Sequence, residues 1–172
     1  MDTSIGIQGV NHVGLRVRNL ETSVEFYKRV LGFTEDVDRF GRGVMAFLRA
    51  PGSTNHHDLA LLQIGPNAAD DSPRSVGMHH FALGVDSVED LAKGYDRLLA
   101  EGCLDGASDH GATRAVYGHD PDNNTFEFTW VLPRAEWGDY ETVAPIKKPL
   151  NVRDEVNRRL RTPQAAIAAS SV

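Results

Sequence analysis

Two histidines and one glutamate have the types and positions expected of metal ligands. His12 lies in Gly-Val-Asn-His-Val-Gly-Leu-Arg-Val (9–17), and His80 lies in Gly-Met-His-His-Phe-Ala-Leu-Gly-Val (77–85). Glu127 stands between two phenylalanines, where an unpaired buried carboxylate is costly and a cation would offset that cost. Two imidazoles and one carboxylate on one side of a metal leave adjacent coordination positions open, an arrangement that suits non-haem Fe(II) and its chemistry with O2.

The segments around the two histidines begin a unit that occurs twice. Each is followed by apolar residues at helical spacing, and the pattern ends at Gly32 in the first copy and at Gly102 in the second. These glycines suit left-handed caps, and Ser87 with Asp90 resembles a capping box. Strand-like segments then follow at roughly 34–40, 44–49 and 58–64 in the first copy, and at roughly 104–108, 112–118 and 124–131 in the second. Each copy therefore reads as βαβββ.

This repeat predicts an α+β fold in which two tandem βαβββ modules pair into a curved, half-open mixed sheet around a metal site. The single domain of 1–172 would comprise a first module (7–64), a linker (65–76), a second module (77–132) and a C-terminal extension (133–172). If a pseudo-twofold axis relates the modules, equivalent positions face each other across it. We then expect two imidazoles to converge on one point, with a carboxylate breaking the symmetry.

The amino-acid composition limits the binding partners and the cellular compartment that we expect. The formal net charge is −6 and no dense Lys/Arg stripe occurs, so nucleic acid is not expected as the main partner. Cys103 is the only cysteine, which excludes an internal disulfide and favours a reducing cytoplasm. The N-terminus lacks a basic region followed by an apolar run, and no stretch of ~18 apolar residues occurs, so we expect neither a secretory signal nor a membrane span.

Four segments carry a family resemblance. They are His57-Asp58-Leu59-Ala60-Leu61, Met78-His79-His80-Phe81-Ala82, His110-Gly111-Ala112-Thr113-Arg114, and the stretch from Tyr117 to Glu127, ten residues apart. With the repeat, they make residues 7–132 similar to the vicinal oxygen chelate superfamily, which includes glyoxalase I, fosfomycin and bleomycin resistance proteins, and type I extradiol dioxygenases. The order and spacing of the segments most resemble an extradiol dioxygenase with a single repeat pair.

The resemblance implies an Fe(II)-dependent dioxygenase that opens the ring of a catechol-type diol with O2, with Mn(II) as an alternative metal. His12, His80 and Glu127 would bind the metal. His57 would transfer a proton near the open positions, Tyr117 would hydrogen-bond a substrate oxygen, and His110 would line the substrate pocket. The partners would be an aromatic diol, O2 and further copies of the chain in a homo-oligomer.

Two other functions stay open, as do less specific roles for single residues. A glyoxalase-type isomerase or lyase usually draws a fourth ligand from the last strand of the first module, where this chain offers His57 or Asp58. A metal-free binding protein would need none of the ligands. Tyr117 could be a core residue, Arg114 a surface ion pair, and His79 is expected to point to the opposite strand face from its neighbour. The diol's substituents, the cleavage position and the role of the C-terminal extension are left open.

Overall fold

A computed structural model describes residues 5–7, 9–40, 43–69 and 76–161. The chain divides into two compact units. Unit 1 is Met1–Gly77 with Asp120–Asn124, and unit 2 is Met78–His119 with Thr125–Val172. Each unit contains one βαβββ set of elements, so the predicted α+β class with two tandem modules is confirmed.

Unit 1 is a four-stranded sheet with one helix. Its elements are β1 (Val13–Val17), α1 (Leu20–Leu31), β2 (Thr34–Phe40), β3 (Met45–Arg49) and β4 (Leu59–Gln63). The strand order is β1-β4-β3-β2, with β1 and β4 parallel and the other neighbours antiparallel. Because the first and last strands are parallel neighbours, the residues that precede β1 lie beside those that precede β4.

Capping and an apolar stripe explain α1. The Asn19 side chain accepts a hydrogen bond from the Thr22 N–H, and Gly32 ends the helix with a φ of 77°, a conformation that a residue with a Cβ adopts only with strain. The buried face of the helix packs on the sheet and includes Leu20, Val24, Tyr27 and Val30. Each such side chain contributes about 1.5–3 kcal/mol through burial, which holds the helix against β3 and β4.

Unit 2 repeats this plan and adds a C-terminal segment. Its elements are β5 (Phe81–Gly84), α2 (Val88–Glu101), β6 (Leu104–Asp109), β7 (Thr113–His119), β8 (Thr125–Val131), β9 (Lys148–Pro149) and α3 (Val152–Arg161). The strand order is β5-β8-β7-β6-β9, again with the first and last module strands parallel. The Ser87 hydroxyl accepts from the Asp90 N–H at 3.1 Å and Gly102 has a φ of 71°, as the capping pattern predicted.

The two faces of β8 differ in chemistry. A Cβ on Gly94 of α2 would lie 2.7 Å from the Phe128 ring, and one on Gly118 of β7 would lie 3.3 Å from the Phe126 ring. The phenylalanines therefore fill the side of the sheet that packs under α2. Strand alternation places Glu127 on the opposite face, as the sequence predicted.

The segment after β8 is more ordered than its prolines suggest. Two short 3₁₀ turns, Arg134–Glu136 and Gly138–Glu141, precede β9, which pairs with β6 and was not predicted. The segment ends in α3, whose last turn is basic. No helix within the described residues is long and apolar enough to cross a membrane.

Candidate functional site

The two repeated histidines occupy equivalent places in the two units. His12 immediately precedes β1, and His80 immediately precedes β5. Each is thus one residue outside the strand in which the sequence placed it. The parallel neighbour of each strand then brings further polar side chains beside the imidazole.

In unit 1, His12 lies against His57. Their ring centroids are 4.5 Å apart, and the edge of the Phe47 ring packs against His57 at 4.9 Å. His12 Nδ1 is 3.0 Å from the side-chain oxygen of Asn11. Because an amide oxygen only accepts, Nδ1 carries the hydrogen and Nε2 presents a lone pair. This is the tautomer needed for binding a metal through Nε2, and a neighbouring acceptor commonly sets it.

Asp58 orders the loop that presents His57. Its carboxylate accepts from the Ala50 N–H, the Ser53 hydroxyl and the Asn55 amide, each at 2.8 Å. The same Asn55 amide lies 3.2 Å from the Asn11 carbonyl oxygen, which ties the loop to the segment before β1. Partial burial raises the pKa of Asp58, but these hydrogen bonds outweigh it and the pKa lies below its ordinary value. Asp58 is committed to the loop and is not available as a ligand.

The environment of His57 favours its neutral form. Burial lowers the pKa of His57, and the positive charges that His12 and His56 can carry lower it further. A neutral imidazole at neutral pH can accept a proton, which is the function that sequence reasoning predicted for this side chain.

In unit 2, His80 and Glu127 lie in contact. His80 Nε2 is 3.1 Å from Glu127 Oε2, while the Thr129 hydroxyl donates to Glu127 Oε1 at 2.7 Å. The Glu127 side chain is only 8% exposed. Thr129 was not among the predicted site residues, although its place two residues beyond Glu127 on the same strand face could have suggested it.

Tyr117 joins this pair to His110. It lies directly opposite Glu127 in the antiparallel β7–β8 ladder, and its ring packs edge-on against His80 at 5.7 Å. The Tyr117 oxygen is 3.0 Å from His110 Nε2. Burial, the charge of Glu127 and a hydrogen bond to it raise the pKa of Tyr117 to about 12, so its hydroxyl stays protonated through neutral pH.

The strand registers show where the repeat loses its symmetry. Glu127 pairs with Ala82, two residues after His80, and the equivalent pairing in unit 1 joins Gly14 to Ala60. Ala60 therefore holds the position of Glu127 and offers no ligand atom. By the same comparison, Phe47 pairs with Ala60 as Tyr117 pairs with Glu127. Polar groups thus replace apolar ones at two equivalent positions of unit 2.

Two expectations about single residues differ from the structure. His79 lies before β5, where strand alternation does not apply, and its Nδ1 is 2.6 Å from His80 Nδ1, so the two rings do not point to opposite faces. Arg114 is 7% exposed and not a surface residue. Its Nη1 donates to Asp109 Oδ1 at 2.7 Å and to the Gly111 carbonyl at 2.8 Å.

The candidate ligands His12, His80 and Glu127 are of types that bind a divalent transition metal. In the structure, the imidazole of His12 lies beside His57, and that of His80 lies beside Glu127. Within the part of the chain that is described, no group of three or more His, Cys, Asp or Glu side chains is gathered closely enough to hold an ion. The imidazole nitrogen of His80 and the buried carboxylate of Glu127 nevertheless face each other. Nitrogen and oxygen donors of this kind suit Fe(II), Mn(II) and Zn(II).

A cavity of about 560 Å³ lies under the C-terminal segment of unit 2. Gly111, Tyr140 and Ile146 are part of its wall, and none of the six predicted site residues is. Its three guanidinium groups are paired with carboxylates, Arg114 with Asp109, Arg158 with Glu155 and Arg159 with Glu136. We therefore assign it to the packing of α3 rather than to substrate.

Comparison with known proteins identifies relatives of this chain. The chain is 34% identical over 139 residues to the catechol-2,3-dioxygenase of Bacillus subtilis (strain 168), which covers 79% of this chain but only 44% of that protein. It is 32% identical over 133 residues to the trivalent organoarsenical cleaving enzyme of Bacillus sp. (strain MD1), covering 73% of this chain and 74% of that protein.

A solved glyoxylase/bleomycin resistance protein/dioxygenase domain from Frankia sp. EAN1pec has 26% identity and a TM-score of 0.60, covering 73% of this chain and 99% of that one. The family model of the Glyoxalase/Bleomycin resistance protein/Dioxygenase superfamily matches residues 9–128, the two repeated modules up to Phe128 in β8. This chain belongs to that superfamily.

Proposed function

We propose that the chain is an Fe(II)-dependent extradiol dioxygenase that cleaves the ring of a catechol-type diol with O2. The observation that carries the proposal is the contact of His80 with buried Glu127, beside a tyrosine that is hydrogen-bonded to His110. The similarity to a catechol-2,3-dioxygenase supports the same reaction, although the chain spans less than half of that protein. We include His12 as the third ligand because it holds in the first module the position that His80 holds in the second.

In this proposal His12, His80 and Glu127 hold the metal. When bound, Fe(II) would supply Lewis acidity toward the diol oxygens and electron transfer to O2. Mn(II) would suit the same donors. Thr129 holds one carboxylate oxygen of Glu127 in place, and the Asn11 side chain selects the His12 tautomer with a free Nε2.

The remaining side chains act on the diol itself. His57 accepts a proton from a diol hydroxyl as the substrate binds. Tyr117 hydrogen-bonds the substrate oxygen nearest to it, and His110 orients the Tyr117 hydroxyl. Phe47 and Asp58 act through His57, one by ring packing and the other by ordering its loop.

The test is ring cleavage by protein loaded anaerobically with Fe(II). Catechol, a biphenyl diol and a fused-ring diol are added with air, and O2 uptake and the absorbance of the ring-fission product are followed. We expect turnover with at least one diol, and its loss in His12→Ala and Glu127→Ala. His119→Ala is the matched control, because His119 lies on β7 but pairs with Asp105. Absence of turnover with all diols would contradict the proposal.

A metal-dependent lyase or isomerase is the second candidate. It is favoured by the organoarsenical-cleaving relative, of which this chain covers 74%. Ala60 at the position equivalent to Glu127 speaks against a fourth ligand from β4, which glyoxalase-type sites usually have. Activity on a hemithioacetal or an organoarsenical without O2 uptake would favour this candidate. A homo-oligomer stays a prediction.

A further inference from the structure

Both ring nitrogens of His110 are engaged, and one of them meets the C-terminal segment. His110 lies in the turn between β6 and β7. Its Nδ1 is 2.6 Å from the carbonyl oxygen of Ile146, and its Nε2 is 3.0 Å from the Tyr117 hydroxyl. Ile146 lies 36 residues further along the chain. Ile146 therefore lies outside the segment His110-Gly111-Ala112-Thr113-Arg114, on which the sequence-based prediction for His110 rested.

The chemistry of these contacts determines where the imidazole hydrogen resides. A backbone carbonyl can only accept, so the short contact with Ile146 requires a hydrogen on Nδ1. In a neutral imidazole the other nitrogen then has a lone pair. We propose that the segment 137–150 is a positioning element for the candidate site, in which the Ile146 carbonyl holds His110 as the Nδ1–H tautomer and makes Nε2 the acceptor for the Tyr117 hydroxyl.

The segment is fastened on both sides of Ile146. After it, β9 adds to the sheet edge, pairing Lys148 with Asp109 and Pro149 with Ser108. Before it, the Tyr140 ring packs against Gly111, where a Cβ would come within 2.6 Å of the ring. Gly111 also has a φ of 85°, so this turn needs glycine for both reasons. The carbonyl is therefore held at a defined place rather than on a loose end.

The turn that carries His110 is also linked to α3 through an ion pair of Arg114. Asp109 Oδ1 accepts from the Gly111 N–H at 2.8 Å and from Arg114 Nη1 at 2.7 Å. Arg114 Nε is 3.5 Å from Glu155 Oε1 of α3. The chain of contacts from α3 through Arg114 to Asp109 holds the turn, and the Ile146 carbonyl then selects the tautomer.

The consequence for Tyr117 rests on the proposed function. Its hydroxyl has one hydrogen, for which His110 Nε2 and the Glu127 carboxylate compete. An Nδ1–H imidazole offers that hydrogen an acceptor and brings no N–H of its own to Tyr117, so the Tyr117 oxygen keeps lone pairs that can accept from a diol hydroxyl. The opposite tautomer would present an N–H to Tyr117 and turn its hydrogen toward Glu127.

The experiment reads the tautomer directly. Protein labelled with ¹⁵N-histidine is studied without metal by long-range ¹H–¹⁵N correlation, and His110 is assigned from the signals lost in His110→Gln. In its neutral form we expect a protonated, pyrrole-type Nδ1 and an unprotonated, pyridine-type Nε2. A protonated Nε2 with an unprotonated Nδ1 would overturn the proposal. The spectra need no turnover, so failure of the dioxygenase assay leaves this result intact.

Two changes to the protein test which group sets the tautomer of His110. Replacing the amide between Ile146 and Lys147 with an ester weakens the Ile146 carbonyl as an acceptor, and we expect the two ring-nitrogen shifts of His110 to move toward each other. The ester between Pro145 and Ile146 is the matched control and should leave them in place. Tyr117→Phe should preserve the Nδ1–H tautomer. Unchanged shifts with the first ester, or a switch to Nε2–H in Tyr117→Phe, would show that the segment does not set the tautomer.

Discussion

Thr129→Val is the sharpest test of the Glu127 site, because it removes one hydroxyl and almost no volume. The Thr129 hydroxyl donates to Glu127 Oε1 at 2.7 Å, and the carboxylate is 8% exposed. A hydrogen bond to a charged group contributes about 1.5–3 kcal/mol. Valine is favourable in strands, so β8 should keep its ladders to β5 and β7. The loss should therefore fall on the orientation of Glu127.

Metal affinity is the quantity to measure. Loss of a residue that orients a ligand weakens metal binding about 10–100-fold, which corresponds to about 1.4–2.8 kcal/mol at about 1.4 kcal/mol per factor of ten. This range nearly coincides with the energy expected for a hydrogen bond to a charged group. Anaerobic Mn(II) titration, read by the electron paramagnetic resonance signal of the free ion, gives Kd for each protein.

Thr125→Val is the matched control. Thr125 lies on the same face of β8, two residues before Glu127, and the replacement has the same chemistry. We expect its Kd to stay within about twofold of the parent. Substitutions that remove no specific contact usually change free energies by no more than about 0.5 kcal/mol. Equal Kd values for Thr129→Val and the parent, or equal weakening in both valine variants, would refute the orienting role of Thr129.

Two further predictions concern stability. Tyr27→Phe should lower the free energy of unfolding by about 1.5–3 kcal/mol, because the fully buried hydroxyl donates to Asp120 Oδ2 at 2.9 Å; urea denaturation measures it, and an unchanged midpoint would contradict it. Burial raises the pKa of Glu155, but hydrogen bonds from Arg158 and Arg159 and the charge of Arg114 outweigh it, so the folded-state pKa lies below the ordinary 4.5. The stability that Glu155 contributes is full above pH 4.5 and is lost as pH falls through the lower folded-state pKa. Thermal unfolding should then show Glu155→Gln destabilised at neutral pH and converging on the parent in acid, whereas a constant difference down to low pH would count against the ion pairs.

Local patterns were sufficient for the secondary structure and for the repeat. Apolar spacing and the caps at Ser87, Gly32 and Gly102 depend only on neighbours within a few residues. They can therefore be predicted from the sequence alone. The strand alternation that separates Glu127 from its two phenylalanines is equally local, and the structure shows it. Matching the two halves also located the equivalent histidines.

Long-range contacts could not be read in this way. No sequence pattern connects Tyr27 with Asp120, yet the Asp120 carboxylate accepts from the Tyr27 hydroxyl, which is 93 residues away. Arg114 looked like a surface residue because its partner Glu155 belongs to a helix that no motif links to it. No pattern places a carbonyl oxygen beside a particular imidazole.

The sequence by itself determined the family, the βαβββ order and the candidate residues His12, His57, His80, His110, Tyr117 and Glu127. Their chemistry follows from residue type, and their equivalence follows from the repeat. Only the tertiary structure decided that Thr129 holds Glu127, that Asp58 orders the His57 loop and that Ile146 faces His110. The contact of Ile146 with His110 depends on the pairing of β9 with β6, which is a product of packing the whole sheet rather than of any single segment.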